Sequence, residues 1–495
     1  MKKIFELAGQ DWMKGLSVQA SFPLGGIFRQ ASNFNPFEKM GTMSPGSTAT
    51  ELGSGTITEV IRSLVSVYHS GDSASRVLAY GDDSSLYKVA PSSGTVSDIS
   101  GTLASGSTTA RGAIAWRNKF VYLKNTEARK FDLTGTFGAN EAQLLSGLTT
   151  GVTHEPVIGA DGNLYIPNGS AIARLVLETG TTGNSTSVFS IDSDLTIRQL
   201  LNDGQFLVGI ADANSNNTNG LFRCVVFFWD MVSGTPERIY DLYENRVYAM
   251  EQKDSAIYVY GSDSVYVCNV SSAPKVLFPL RNSTLSEPTL PSCLKYYRNS
   301  ILWARTGGSD ASTGILINGY GSAYAGQKPI FFTPSFHETT SFETTAFLPF
   351  TYDTANSYYF IACAESDGSN PKLFRFYTTG SEAGATRATA SLKVSDIHLP
   401  QPYKFEYAKI VLRDPISSGQ SVSFSMQAQG EGVTVSSSQT FNTVGKQTFI
   451  YYPSPAASTP EYIEEICNLS ISSTKAVIER FEIWGTPVTQ QQAKI

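Results

Sequence analysis

Chemistry in a protein needs side chains that can accept a proton, attack a carbon or hold a metal. The four histidines are His69, His154, His337 and His398. None falls in an HxH or HExxH arrangement, the spacings that let neighbouring ligands aim at one metal ion. The five cysteines, Cys224, Cys268, Cys293, Cys363 and Cys467, are far apart, odd in number and form no CxxC pair. They read as small buried hydrophobes in a chain made in a reducing compartment. Neither a GxSxG elbow for a nucleophilic serine nor a GxxxxGK[ST] or GxGxxG phosphate cradle is present.

Carboxylates are the remaining candidates. A glycosidase needs two of them across the scissile bond, one protonated and one ionised. Asp82, Asp83, Asp161, Asp203, Asp212, Asp254 and Asp263 stand next to strand-like stretches. Each also stands where a tight turn favours aspartate, whose side chain bonds its own backbone. They are read as turn formers. ESDGSNPKLF is one loose match to the Asp-box that sialidase-like propellers repeat, and no second copy occurs. A DxDxDG calcium loop is missing. The sequence therefore predicts no catalytic, metal or cofactor-binding set. Tyr320 and Tyr324, in NGYGSAYAG, could stack on a sugar; covering a sheet edge is the competing reading.

The elements that would carry such residues are strands. Charged residues make up only 16% of the 495-residue chain, against ~25% in ordinary domains, and aromatics reach 12%. Serine, threonine, glycine and asparagine fill the difference, as expected of short strands joined by many tight turns. From about residue 60 a unit recurs: an apolar strand, a polar turn, an aromatic strand and a Gly/Ser/Thr loop. Its first strands are expected near 63, 112, 155, 198, 246, 293 and 357, a period of about 50 residues. Turns such as Gly162-Asn163 and Asp254-Ser255 sit between alternating residues, as hairpins require. A sheet of about four short strands cannot bury both faces alone, but a radial stack of such sheets can.

The fold expected is thus all-β. A β-propeller of six to eight blades should occupy residues 61–390, with an insert around 306–345 leaving the count open. An antiparallel β-sandwich should follow over 391–486, where SVSFSMQ and VIERFEIWG alternate strictly, and a polar tail over 487–495. Residues 1–60 form a separate region, rich in Gly, Pro and Phe and without strand or helix period. In it, Phe34, Pro36 and Phe37 are expected to pin an extended arm onto a neighbouring subunit, with a strand supplied to the last blade as the alternative.

Net charge is −6 and no basic run occurs, which argues against a nucleic-acid footprint. No apolar stretch approaches the ~20 residues of a membrane span, and a secretory leader is not recognisable. The segment NFNPFEKMGTMSPG, the Ser/Thr/Gly-rich aromatic repeat and the closing EIWG together resemble virion structural proteins of tailed bacteriophages, such as tail nozzle and tail-tip proteins. The resemblance is one of layout across the whole chain. It implies a non-enzymatic particle component in the neck, tail or baseplate, assembled in the host cytoplasm. Its partners would be other virion proteins and copies of itself. Two further classes stay open, a glycan- or receptor-binding module and a propeller hydrolase.

Overall fold

A computed structural model of the chain describes residues 1–8, 28–32, 34–35, 44–45, 49–91, 93–104, 109–214, 223–279, 290–297, 300–304, 315–319, 330–332, 343–353, 358–366, 371–377, 389–394, 403–430, 433–452, 462–472 and 476–487. Among them the only helices are short 3₁₀ turns, and the rest of the regular structure is β.

Among the described residues, seven four-stranded antiparallel sheets follow one another along the chain. Blade 1 runs from Ile61–His69 through Ala74–Gly81 and Leu86–Val89 to Val96–Asp98. Blades 2 to 6 open on Ala110–Trp116, Val157–Ile158, Leu195–Asn202, Val247–Lys253 and Leu294–Tyr297. Blade 7 opens on Glu343–Asp353 and continues through Tyr358–Ser366 and Lys372–Tyr377. The opening strand of blade 7 lies against that of blade 1, which closes a ring. This is a β-propeller.

Local sequence explains the hairpins. Arg117 and Asn118 both take positive φ, 48° and 60°, between the paired Trp116 and Lys119. That is the type I′ geometry whose twist matches a hairpin. Asp254, at φ 57°, takes the left-handed position in the two-residue loop between Lys253 and Ala256.

The cores lie between blades. Leu78, Tyr80 and Leu86 of blade 1 pack with Phe120, Tyr122 and Phe131 of blade 2. Val208, Ile210 and Phe228 of blade 4 pack with Met250, Val259 and Tyr266 of blade 5. The ring of Tyr260 in blade 5 meets that of Trp303 in blade 6 at 4.9 Å, edge to face. A central strand is therefore covered on both sides. CVVFFW, Cys224–Trp229, is buried at every position and shows no alternation.

The fourth strand of blade 7 comes from the other end of the chain. Ala49–Leu52 pairs antiparallel with Lys372–Tyr377, with Leu52 opposite Leu373. Leu52 and Leu373 then join Ile61, Val77 and Tyr87 in the core between blades 7 and 1. Gly53 follows in a left-handed conformation, φ 59°, where a Cβ would stand 2.5 Å from the Cβ of Val96. Only glycine lets the chain turn there towards blade 1.

Two more sheets use the C-terminal region. In one, Lys2–Ala8, Ile478–Pro487, Tyr403–Leu412 and Thr448–Tyr451 are neighbours in that order. In the other, Phe28–Ser32, Thr389–Val394, Tyr462–Ser472, Ser421–Gly430 and Val433–Phe441 are. Phe424 of the second sheet meets Phe481 and Tyr451 of the first at 5.7 Å and 4.6 Å, so apolar faces of the two sheets are in contact.

Three expectations are revised. Blade 7 begins at Glu343 rather than near 357, because what reads as an insert holds two strands of blade 6, Ile315–Gly319 and Ile330–Phe332, and then the first strand of blade 7. The propeller does not begin at residue 61, since Ala49–Leu52 belongs to it. The described strands of residues 1–60 are not a free arm. Lys2–Ala8, Phe28–Ser32 and Ala49–Leu52 all pair within the chain, so the alternative of a strand supplied to the last blade is the one found. Phe34 pairs with Pro45 in a two-stranded ladder, while Pro36 and Phe37 lie outside the described residues.

Closure by Ala49–Leu52 has a measurable cost when disturbed. Leu52→Ala should destabilise the protein by about 2–4 kcal/mol in urea unfolding, the usual result of emptying a buried leucine site. A change below about 0.5 kcal/mol would show that this strand does not close the ring.

Candidate functional site

The innermost strands share an irregularity. The pairing register of blade 1 slips between Ile61 and Ser63, leaving Arg62 as an extra residue. The same slip singles out Arg111 in blade 2, Arg198 in blade 4, Tyr248 in blade 5 and Thr345 in blade 7. A β-bulge re-aims the side chain it carries. Arg62, Arg111 and Thr345 accordingly line one cavity of about 230 Å³ at the ring axis, with Glu155 of blade 3 and Ser292 beside blade 6.

Two of the bulge arginines have a dedicated carboxylate on the second strand's side, one residue past the partner of the residue that precedes the bulge. In blade 1, Arg62 donates from Nε and Nη2 to Asp82 Oδ2 at 3.1 and 2.9 Å, and Asp82 Oδ1 accepts the Ala110 N–H of blade 2 at 3.0 Å. In blade 4, Arg198 Nε donates to Asp212 Oδ1 at 2.6 Å. Burial pushes the Asp212 carboxyl above its ordinary pKa, opposed by Arg198, Arg246 and the Val247 N–H of blade 5. The pair thus acts as a bracket within and between blades.

Blade 2 breaks the pattern. Asn125 stands where Asp82 and Asp212 stand, and its Oδ1 accepts the Thr109 N–H at 3.3 Å. Arg111 has no carboxylate partner among the described residues, and its Nε is buried without a hydrogen bond. Gly112, at φ 149°, lets the backbone of blade 3 come close; a Cβ there would stand 2.8 Å from the His154 carbonyl oxygen and 2.9 Å from Glu155 Cα.

Glu155 faces across the ring. Its Oε1 lies 3.7 Å from Lys295 Nζ in blade 6, so this ion pair joins blades that are not neighbours and spans the axis. Burial pulls the Lys295 ammonium down, but Glu155 and Glu251 more than offset this and hold its pKa above the ordinary value. Burial raises the Glu251 carboxyl, opposed by Lys295. Glu155 Oε2 is buried without a hydrogen-bond partner.

The residues singled out from sequence fall elsewhere. Asp161 and Asp203 are turn formers, accepting the backbone N–H groups of Asn163 at 3.0 Å and Phe206 at 2.6 Å. Asp83 and Asp254 take left-handed backbone at φ 52° and 57°. Asp82 and Asp212 do more than shape turns, as described. His154 is buried with its ring nitrogens at 2.6 Å from the Pro167 carbonyl and 2.8 Å from the Thr149 carbonyl, and burial lowers its pKa. His69 stacks on Phe137 at 3.7 Å. Burial pushes the thiols of Cys224, Cys268 and Cys293 up to about 12, far from a reactive thiolate. His337, His398, Tyr320 and Tyr324 lie outside the described residues. No group of three metal-ligating side chains occurs among the described residues.

The sequence reading missed Arg62, Arg111, Glu155 and Lys295. A signal existed: three first strands carry an apolar residue followed by arginine in their first half, in IRS, ARG and IRQ. Chemically, the cavity offers one uncompensated guanidinium, one half-satisfied carboxylate and several hydroxyls.

The fold and this axial site define the class, a β-propeller with a polar axial cavity. No family model and no curated protein sequence matches the chain. Among solved structures, YCF48 bound to a D1 peptide is similar at 15% identity and a TM-score of 0.44, covering 67% of this chain and 96% of that one. The N-terminal part of BBS1 in complex with ARL6 is similar at 11% identity and a TM-score of 0.42, covering 69% and 99%. A computationally designed protein, Ika8, is similar at 14% identity and a TM-score of 0.41, covering 67% and 100%.

The two brackets should differ in strength. Arg62 and Asp82 are 38% and 22% exposed, and their coupling in a double-mutant cycle should stay under about 1 kcal/mol. Asp212 is 1% exposed, and Asp212→Ala should cost about 2–4 kcal/mol, because it strands the guanidinium of Arg198. Urea unfolding of the single and double variants checks both, and equal couplings would contradict this ranking.

Proposed function

We propose that this protein is a non-enzymatic structural component of a tailed-phage particle, in the neck, tail or baseplate. In this reading it assembles with other virion proteins and with copies of itself. The observation that supports it best is the way the chain is stitched. Its first 52 residues give one strand to each C-terminal sheet and one to the last blade. The propeller and the C-terminal sheets are therefore joined by two chain crossings, one before Ala49 and one after Tyr377. Two crossings restrict hinge motion more than one linker would, which suits a part that must transmit force without deforming. Large side chains left in water, among them Tyr68, Val232, Tyr243 and Tyr452, at 63%, 88%, 92% and 66% exposure, provide contact points for neighbours.

The test is location. Antibodies against the purified protein, applied to phage particles whose genome encodes it, should label the neck, tail or baseplate, and the protein should be recovered from purified particles. Absence from intact and disrupted particles would overturn the proposal. So would turnover of a glycoside, ester or peptide that disappears in a Glu155→Gln variant.

A further inference from the structure

We propose that the axial cavity binds a small carboxylate that also carries hydroxyl groups. The argument starts from the interrupted pattern. The bulge arginines of blades 1 and 4 are each neutralised by an aspartate, but Asn125 leaves Arg111 without one. The Arg111 Nε is buried and makes no hydrogen bond. An unpaired donor on a charged group is costly, so an oxyanion that pairs with the guanidinium relieves that cost. Arginine suits a carboxylate because its planar fork matches two oxygens.

The same cavity holds an acceptor that needs a donor. Glu155 uses Oε1 on Lys295 and leaves Oε2 buried and unpaired. A bare anion placed beside Glu155 would be repelled. A ligand with a hydroxyl next to its carboxylate can donate to Oε2 while its carboxylate faces Arg111. The hydroxyls of Ser63, Thr109, Thr153 and Ser292 on the wall can serve further polar groups of the ligand. Size sets the remaining limit. A volume of about 230 Å³ lies below the ~300–1,000 Å³ of sites for drug-sized ligands, so one hydroxylated acid of about sugar size is the scale that fits. This inference does not depend on the particle role proposed above, and its test can fail without touching that role.

The experiment is isothermal titration of the full chain with D-glucuronate as probe, and with D-glucose, acetate and inorganic phosphate as comparators. Glucuronate should bind at millimolar or tighter concentration, at least about tenfold tighter than any comparator, the ratio expected for one charge-assisted hydrogen bond. Arg111→Gln and Glu155→Gln should each weaken it at least about tenfold, while Arg111→Lys keeps part of the affinity as a point charge. Thermal melts accompany each variant. Should the glutamine variants fail to fold, Arg111→Lys and NMR shifts of the wild-type cavity residues on titration decide the matter. No binding of glucuronate, equal binding of acetate, tighter binding of phosphate, undiminished binding by a folded Arg111→Gln variant, or shifts away from the cavity would each overturn the proposal.

Discussion

Everything in the propeller depends on one ladder of backbone hydrogen bonds, that between Ala49–Leu52 and Lys372–Tyr377. Each blade buries its faces only against its two neighbours, so a ring with a gap exposes two apolar faces at once. The ladder fixes blade 7 against blade 1. Its side chains then fill the seam, with Leu52 and Leu373 packed beside Ile61 and Tyr87. Arg375 adds a bond from Nη1 to the Pro91 carbonyl in blade 1, at 3.1 Å. Closure in turn gives the axis its shape, because Thr345 can face Arg62 across one cavity only when the first and last blades meet.

The axis shows how a repeat acquires a particular site. Most blades keep the same bulge, but the residue in it changes from arginine to tyrosine or threonine. Where arginine is kept with its aspartate, the pair is structural and joins neighbouring blades. Where the aspartate becomes Asn125, the guanidinium of Arg111 is released from that duty while its backbone place is unchanged. Glu155 and Lys295 then cross the ring between blades 3 and 6, so the opposite walls carry opposite charges in contact.

The repeat was legible because its turns are. Asp254-Ser255 and Gly162-Asn163 demand particular backbone angles that few residues take, and those angles mark the hairpins. The strands near the last blade were harder. IFF of Ile330–Phe332 is only three residues long, and Glu343–Asp353 holds Pro349 in its interior, a residue that reads against a strand, so the blade boundary is not marked in the sequence. The strands of residues 1–60 carry no local period that identifies a partner, since Ala49–Leu52 finds its own more than 300 residues further along. Arg62 and Arg111 carry no spacing of their own that marks a site, unlike clustered histidines, thiols or paired carboxylates. An arginine becomes visible only when the bulge that aims it and the aspartate that answers it are seen together.

The position of the closing strand also governs how the protein can be made. Ala49–Leu52 leaves the ribosome early, yet Lys372–Tyr377 is synthesised about 320 residues later, roughly 16–64 s at ~5–20 residues per second. Throughout that interval a growing arc of blades carries an open edge at each end, the kind of surface that invites pairing with the wrong chain. Lys2–Ala8 waits longer still, for Ile478–Pro487. Folding therefore cannot proceed to completion from the N-terminus. It waits on strands made long after their partners, and a nascent chain stopped short of residue 372 has no means of sealing its ring.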